Sequence, residues 1–229
     1  MRKRLISPWI RIIGLWIAVF LISGVGSNRI IAQSQTEEPR AQWKKMVVVP
    51  FFKGRRGAAD AGDNVSCPIC QLSFQSGSIA NGADRTLTRY VQRVMEDRYG
   101  EKVIPLDKAM EIYQKIPKND ISDTPRSIAQ RVGDALRANF VIVGTVWRYR
   151  NRVQDETGLE RGASVAFDIY LIEIPSGKTV WKSKFDETQR PLSEDIRGAK
   201  ALFKRGVRWL TADELARYGV EEALKKLTL

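Results

Sequence analysis

The sequence predicts an α/β domain, α+β-like in layout, in which helices cover a mixed sheet of about five strands whose second half is an antiparallel three-strand meander. Three observations predict it. Met46-Val47-Val48-Val49-Pro50-Phe51-Phe52 is a continuous apolar, β-branched run, the mark of a strand buried on both faces. Residues 83–98 and 125–136 repeat apolar side chains at three- and four-residue spacing, as helices that bury one stripe do. Between 139 and 187 three segments of strand character follow one another, the last two joined by a tight turn.

After the first strand, residues 53–82 form a long break carrying five glycines, Gly54, Gly57, Gly62, Gly77 and Gly82. Loops of this length are uncommon inside a compact domain and often functional. The helix over 83–98 buries Leu87, Tyr90, Val91, Val94 and Met95. Arg85, Arg89 and Arg93 make a second row along it, four residues apart. Val103-Ile104-Pro105 is a short strand, and Asp107 caps a helix running to Lys115. Thr124 is an N-cap with Pro125 at the first helical position, and Ile128, Val132, Ala135 and Leu136 give that helix its buried face. Residues 139–153 begin all-apolar with Phe140-Val141-Ile142-Val143. They then alternate, Val146, Arg148, Arg150 and Arg152 on one side and Trp147 and Tyr149 on the other. Val165, Phe167, Ile169 and Leu171 share one face of the strand over 163–174. Pro175-Ser176-Gly177-Lys178 is the turn, and in the strand over 179–187 Trp181 and Phe185 alternate against Lys182 and Lys184. Ser193-Glu194-Asp195 opens a helix to about Gly206, since acids suit a first turn. Thr211-Ala212-Asp213-Glu214 is a capping box before the last helix, which carries Leu215, Tyr218, Val220, Leu224 and Leu227. The order is β-α-β-α-α-β-β-β-α-α, with no internal repeat.

Upstream of all this the chain reads as an export segment. Arg2, Lys3 and Arg4 precede an uncharged stretch, 12–28, whose first eleven residues are almost wholly apolar. A basic leader before a short apolar core is the pattern of a secretory signal, and the core is shorter than the roughly 20 residues a spanning helix needs. Cleavage after Ala32 and retention of 12–28 as an anchor both remain open. No cysteine follows the apolar core, so lipid modification of the bacterial lipoprotein kind is not expected. Residues 33–45 are a polar linker and 46–229 a single domain, long enough to hold a core without staples.

The export segment also changes the charge reading. The 229 residues hold 38 basic and 26 acidic groups, net +12. Five of the basic groups and none of the acids lie in residues 1–32, so the rest is 33 against 26, or +7. That moderate excess suits anionic lipid, anionic cell-wall polymer or an acidic partner and does not call for nucleic acid. The chain has no histidine, which removes histidine triads, histidine general bases and most zinc sites.

Cys67-Pro68-Ile69-Cys70 is the one motif with chemistry built in. A structural zinc needs four ligands, and only two soft ones are present. A thioredoxin-like pair sits at a helix N-terminus, whereas this pair lies in a Gly/Ser-rich stretch. Haem attachment needs a histidine where Gln71 stands. The favoured reading is a local disulfide pinning the long loop in an oxidising compartment, with metal binding and thiol exchange left open. Gly54-Arg55-Arg56-Gly57 follows a strand as phosphate loops do, but it matches neither phosphate-binding glycine pattern and reads as a flexible basic loop. Arg85, Arg89 and Arg93 on a helix, and Arg148, Arg150, Arg152, Lys182 and Lys184 on strands, read most simply as solvated faces. Because both sets can face one polyanion, they are also the candidate anion- or partner-binding residues. No carboxylate pair with hydrolytic spacing stands out.

Two stretches carry a resemblance. One is Leu136-Arg137-Ala138-Asn139-Phe140-Val141-Ile142-Val143-Gly144-Thr145-Val146, a helix ending in Ala-Asn-aromatic and a strand leading to Gly-Thr-Val. The other runs from Phe167 through Pro175-Ser176-Gly177-Lys178-Thr179-Val180-Trp181. With the first strand, they resemble the superfamily containing the TolB amino-terminal domain, the curli-secretion lipoprotein and the lipoprotein activators of penicillin-binding proteins, over residues 46–187. The resemblance implies a non-enzymatic periplasmic domain that works by contacting other proteins, with no cofactor and no metal. Its members are often lipoproteins, and this chain lacks the cysteine for that. The Cys67–Cys70 loop and Arg208-Trp209-Leu210 with the final helix have no counterpart in the pattern. Residues 151–162 are too charged and short for the membrane hairpins of the curli pore. The expected function is therefore assembly or regulation of an envelope complex through an envelope protein partner. The alternatives are an anionic-polymer or lipid-surface binder and a thiol redox protein using Cys67 and Cys70.

Overall fold

The computed structural model describes residues 44–54, 64–66, 73–119, 122–154, 160–189 and 209–229. The export segment, most of the linker, Cys67, Cys70 and the helix expected over 193–206 lie outside these residues. Among them, β1 (Met46–Val48), β2 (Phe52–Lys53), β5 (Phe140–Arg150), β8 (Ser164–Glu173) and β9 (Thr179–Thr188) form one mixed sheet in the order β1-β5-β8-β9, with β2 continuing along the β1 side of β5. β1 and β2 run parallel to β5; β5, β8 and β9 are the expected antiparallel meander. The β8–β9 turn places Gly177 at φ +64°, a backbone that costs glycine nothing.

Helices cover both faces. α1 (Ala83–Tyr99) and α4 (Ala212–Leu224) pack on the face that carries Val165, Phe167, Ile169 and Leu171. α2 (Leu106–Lys115) and α3 (Pro125–Ala135) cover the face that carries Val141, Val143 and Tyr170. Leu87, Val91 and Met95 of α1 are fully buried, each worth roughly 1.5–3 kcal/mol of transfer free energy. α3 begins at Pro125 behind a Thr124 capping box, and α4 behind the Thr211–Glu214 box. The amino end of α4 is tied to the sheet by a hydrogen bond from the buried Tyr149 hydroxyl to Asp213. Burial, and then that carboxylate, push the Tyr149 phenol well above its ordinary range.

Four expectations are corrected. The break at 53–82 contains a hairpin, β3 (Asn64–Ser66) with β4 (Ser73–Gln75), which buries Val65 and Phe74; Phe74 stacks on Trp147 at 5.3 Å. The strand at Val103 shrinks to one bridge with Met46, because Pro105 lacks an N–H and begins the next turn. α2 is capped at Pro105 with no side-chain bond, so Asp107 lies in its first turn rather than at the cap. Ala129 and Gly133, not Ala135, complete the buried face of α3.

Two β-bulges interrupt the regular register of the sheet. One falls between Val146 and Arg148. A bulge adds one residue and turns the next side chain over, so Trp147 and Arg148 share one face while Val146 and Tyr149 share the other. This reverses the alternation read from the sequence. The other bulge places Val180 between the pairs Leu171–Trp181 and Ile172–Thr179.

Gly144 marks the tightest crossing in the sheet. A Cβ there would lie 2.3 Å from Phe51 Cε1 and 2.6 Å from the Asp168 carbonyl oxygen. Gly144→Ala is expected to cost about 1–3 kcal/mol through overpacking, read as a lower urea midpoint.

Candidate functional site

The cationic rows separate in the structure. Arg85, Arg89 and Arg93 are exposed on α1, and Arg85 and Arg89 border a cavity of about 540 Å³ between the start of α1 and α2. Lys182 and Lys184 project from the other face of the sheet, where Lys184 lies 5.5 Å from the Phe74 ring. The two sets thus sit on opposite sides of the sheet and do not form one surface. Arg152 is exposed, its guanidinium 4.9 Å from the Trp209 ring. Arg150 is half-buried beyond the β5 bulge. Arg148 is not a solvent-facing residue at all. Its side chain is 6% exposed and pairs with Asp186 at 2.6 Å. It also donates to Ser164 Oγ at 2.6 Å and to the Gln75 carbonyl. The bulge is the reason, since it aims Arg148 at β9 and the β3–β4 hairpin.

The most open apolar feature lies elsewhere, beneath the carboxyl ends of α1 and α4. A groove of about 740 Å³ has Phe140, Leu171, Val180 and Trp181 of the sheet on its floor, with Tyr99 and Leu227 beside them. Lys44, Lys102 and Lys226 stand around it. Three large apolar residues are exposed among the described residues. Two of them, Val180 at 49% and Leu229 at 50%, line this groove. Local structure explains why it is there. The β9 bulge pushes Val180 out of register beside Trp181. The segment after α4 is held across the end of α1 by Arg98, which donates to the Leu224 carbonyl at 2.6 Å, and by the Tyr99 hydroxyl to the Leu227 carbonyl at 3.3 Å. The one lining side-chain carboxylate, Glu173, accepts a 2.6 Å hydrogen bond from Ser176. The groove can therefore take an apolar group with an acidic neighbour.

No single sequence window contains this site, because the three lysines come from β1's approach, the turn after α1 and the carboxyl-terminal segment. One signal was present. Val180-Trp181 puts two apolar residues in succession in a strand that otherwise alternates with lysines, which is how a bulge looks in sequence. Among the described residues no cluster of three or more His, Cys, Asp and Glu could hold a metal, and no helix is long and apolar enough to cross a membrane.

No protein-family profile matches the sequence, and no curated protein matches it. Solved structures share its fold. The PelC dodecamer from Paraburkholderia phytofirmans is similar at 12% identity and a TM-score of 0.44, over 81% of this chain and 89% of that one. Lipoprotein GNA1162 from Neisseria meningitidis is similar at 13% and 0.41, over 71% and 96%. The LpoB carboxyl-terminal domain from Salmonella enterica is similar at 13% and 0.36, over 64% and 84%. These neighbours accord with the superfamily resemblance in the strand motifs. At such identities and scores they say nothing of partner, assembly or activity.

Proposed function

We propose that this chain is an exported, non-catalytic interaction domain of the cell envelope, and that the groove beneath α1 and α4 is its partner-binding face. The observation that carries the reading is the placement of Val180 and Leu229, half-exposed, on an apolar floor ringed by Lys44, Lys102 and Lys226. Exposed apolar surface with a polar rim is what protein-binding sites offer. The leader in residues 1–32 supports the compartment. The occupant is a segment of an envelope protein with an apolar side chain next to acids.

A photo-crosslinking residue in place of Val180, compared in intact cells with one in place of Lys115 on the exposed side of α2, tests this. A discrete heavier adduct from position 180 that position 115 does not give is expected. No adduct from 180, or the same adduct from both, would sink the reading.

A further inference from the structure

Past the β5 bulge, three guanidinium groups gather on the face of the sheet turned away from α1 and α4. Arg148 and Arg150 lie two residues apart on β5, opposite Ala166 and Ser164 of β8. Arg161, on the short strand β7 (Glu160–Arg161) paired with β6 (Val153–Gln154), is close enough for its charge to act on Arg150. Arg148 is matched by Asp186. Arg150 is not: its Nε is sealed from solvent and has no hydrogen-bond partner. Neither Arg150 nor Arg161 forms an ion pair among the described residues. Burial, and then the charges of Arg148 and Arg161, hold the Arg150 guanidinium below the ordinary arginine value. A sheltered cation with an empty donor and like charges around it is a standing cost, and an oxyanion relieves both parts of it.

We propose that Arg150 and Arg161 form a phosphate-binding site. Three guanidinium groups against the single Asp186 carboxylate leave an excess of two positive charges. A phosphate monoester carries about −1.5 to −2 near neutral pH, so it balances that excess where one carboxylate does not. Arginine forks also meet phosphate oxygens two at a time. Arg148, already engaged, supplies field rather than contact. Phosphate free in solution and phosphate on a lipid headgroup present the same chemistry.

The test tracks the Arg150 Nε–H resonance in the full chain during two titrations, one with inorganic phosphate and one with phosphatidic acid vesicles, phosphatidylcholine vesicles serving as control. The resonance is expected to shift and saturate with at least one probe, and the responding probe identifies the source. Arg150→Gln and Arg161→Gln are each expected to weaken that binding by about tenfold or more, the size of one lost charge-assisted hydrogen bond, with thermal midpoints kept. Lys182→Gln, which removes an exposed cation on the same face, is expected to change it by less than about twofold. The proposal fails if neither probe moves the resonance, or if Lys182→Gln weakens binding as much as Arg150→Gln does.

Discussion

Arg148→Ala is expected to remove about 3–5 kcal/mol of stability, the usual cost of breaking one side of a buried ion pair. The size reflects what the side chain holds. Its guanidinium joins β5 to β9 through Asp186 at 2.6 Å and Thr188 at 3.4 Å, to β8 through Ser164 at 2.6 Å, and to the exit of β4 through the Gln75 carbonyl. The aliphatic stem lies under Gly77, where an added Cβ would come within 2.7 Å of Arg148 Cδ. Alanine leaves Asp186 without its cation and the Gln75 carbonyl without its donor. Arg148→Lys is expected to recover little, since an ammonium group cannot reach three strands as a planar fork does. Urea unfolding should show a lower midpoint at unchanged slope, with faster amide exchange in 73–80. By contrast, Lys182→Ala, on the exposed row where Arg148 was expected to sit, should stay within about 0.5 kcal/mol.

Asp168→Ala is expected to be as damaging for a different reason. Asp168 is fully buried. Its carboxylate accepts from the Thr145 backbone N–H at 2.9 Å and from the Trp147 indole N–H at 2.8 Å. Truncation strands two buried donors, at about 1–3 kcal/mol each, and loosens the indole on which Phe74 stacks. Loss of the β3–β4 hairpin from the sheet should accompany the lower midpoint. It would be visible as a shifted Trp147 indole resonance and a freed Phe74 ring. Asp168→Asn, which keeps one acceptor oxygen, should cost less than Asp168→Ala.

Both residues show where sequence reading succeeded and where it stopped. Thr124-Pro125 and Thr211–Glu214 place the starts of α3 and α4 without error, because cap chemistry is written within four residues. The meander was legible because Val165, Phe167, Ile169 and Leu171 alternate over a whole strand. A bulge has no such signature: one extra residue between Val146 and Arg148 moves a cation from solvent to the interior without changing composition. The β3–β4 hairpin was hidden because its strands are three residues each and only Val65 and Phe74 mark them. The groove was hidden because its parts meet only when α1 and α4 end over the same stretch of sheet. Of the cations singled out in advance, Arg150 keeps an unfilled donor, and its neighbour Arg161 went unremarked because β7 is a two-residue strand at the mouth of a charged hairpin.

The groove is tested most directly by crosslink yield from position 180 in intact cells, with Lys44 and Lys226 both changed to glutamate. Both lysines are exposed, so the thermal midpoint should hold. If the groove takes an acidic, apolar segment of a partner, the adduct falls by about tenfold or more, as two like-charge contacts across an interface require. Undiminished yield from a folded double variant would contradict it.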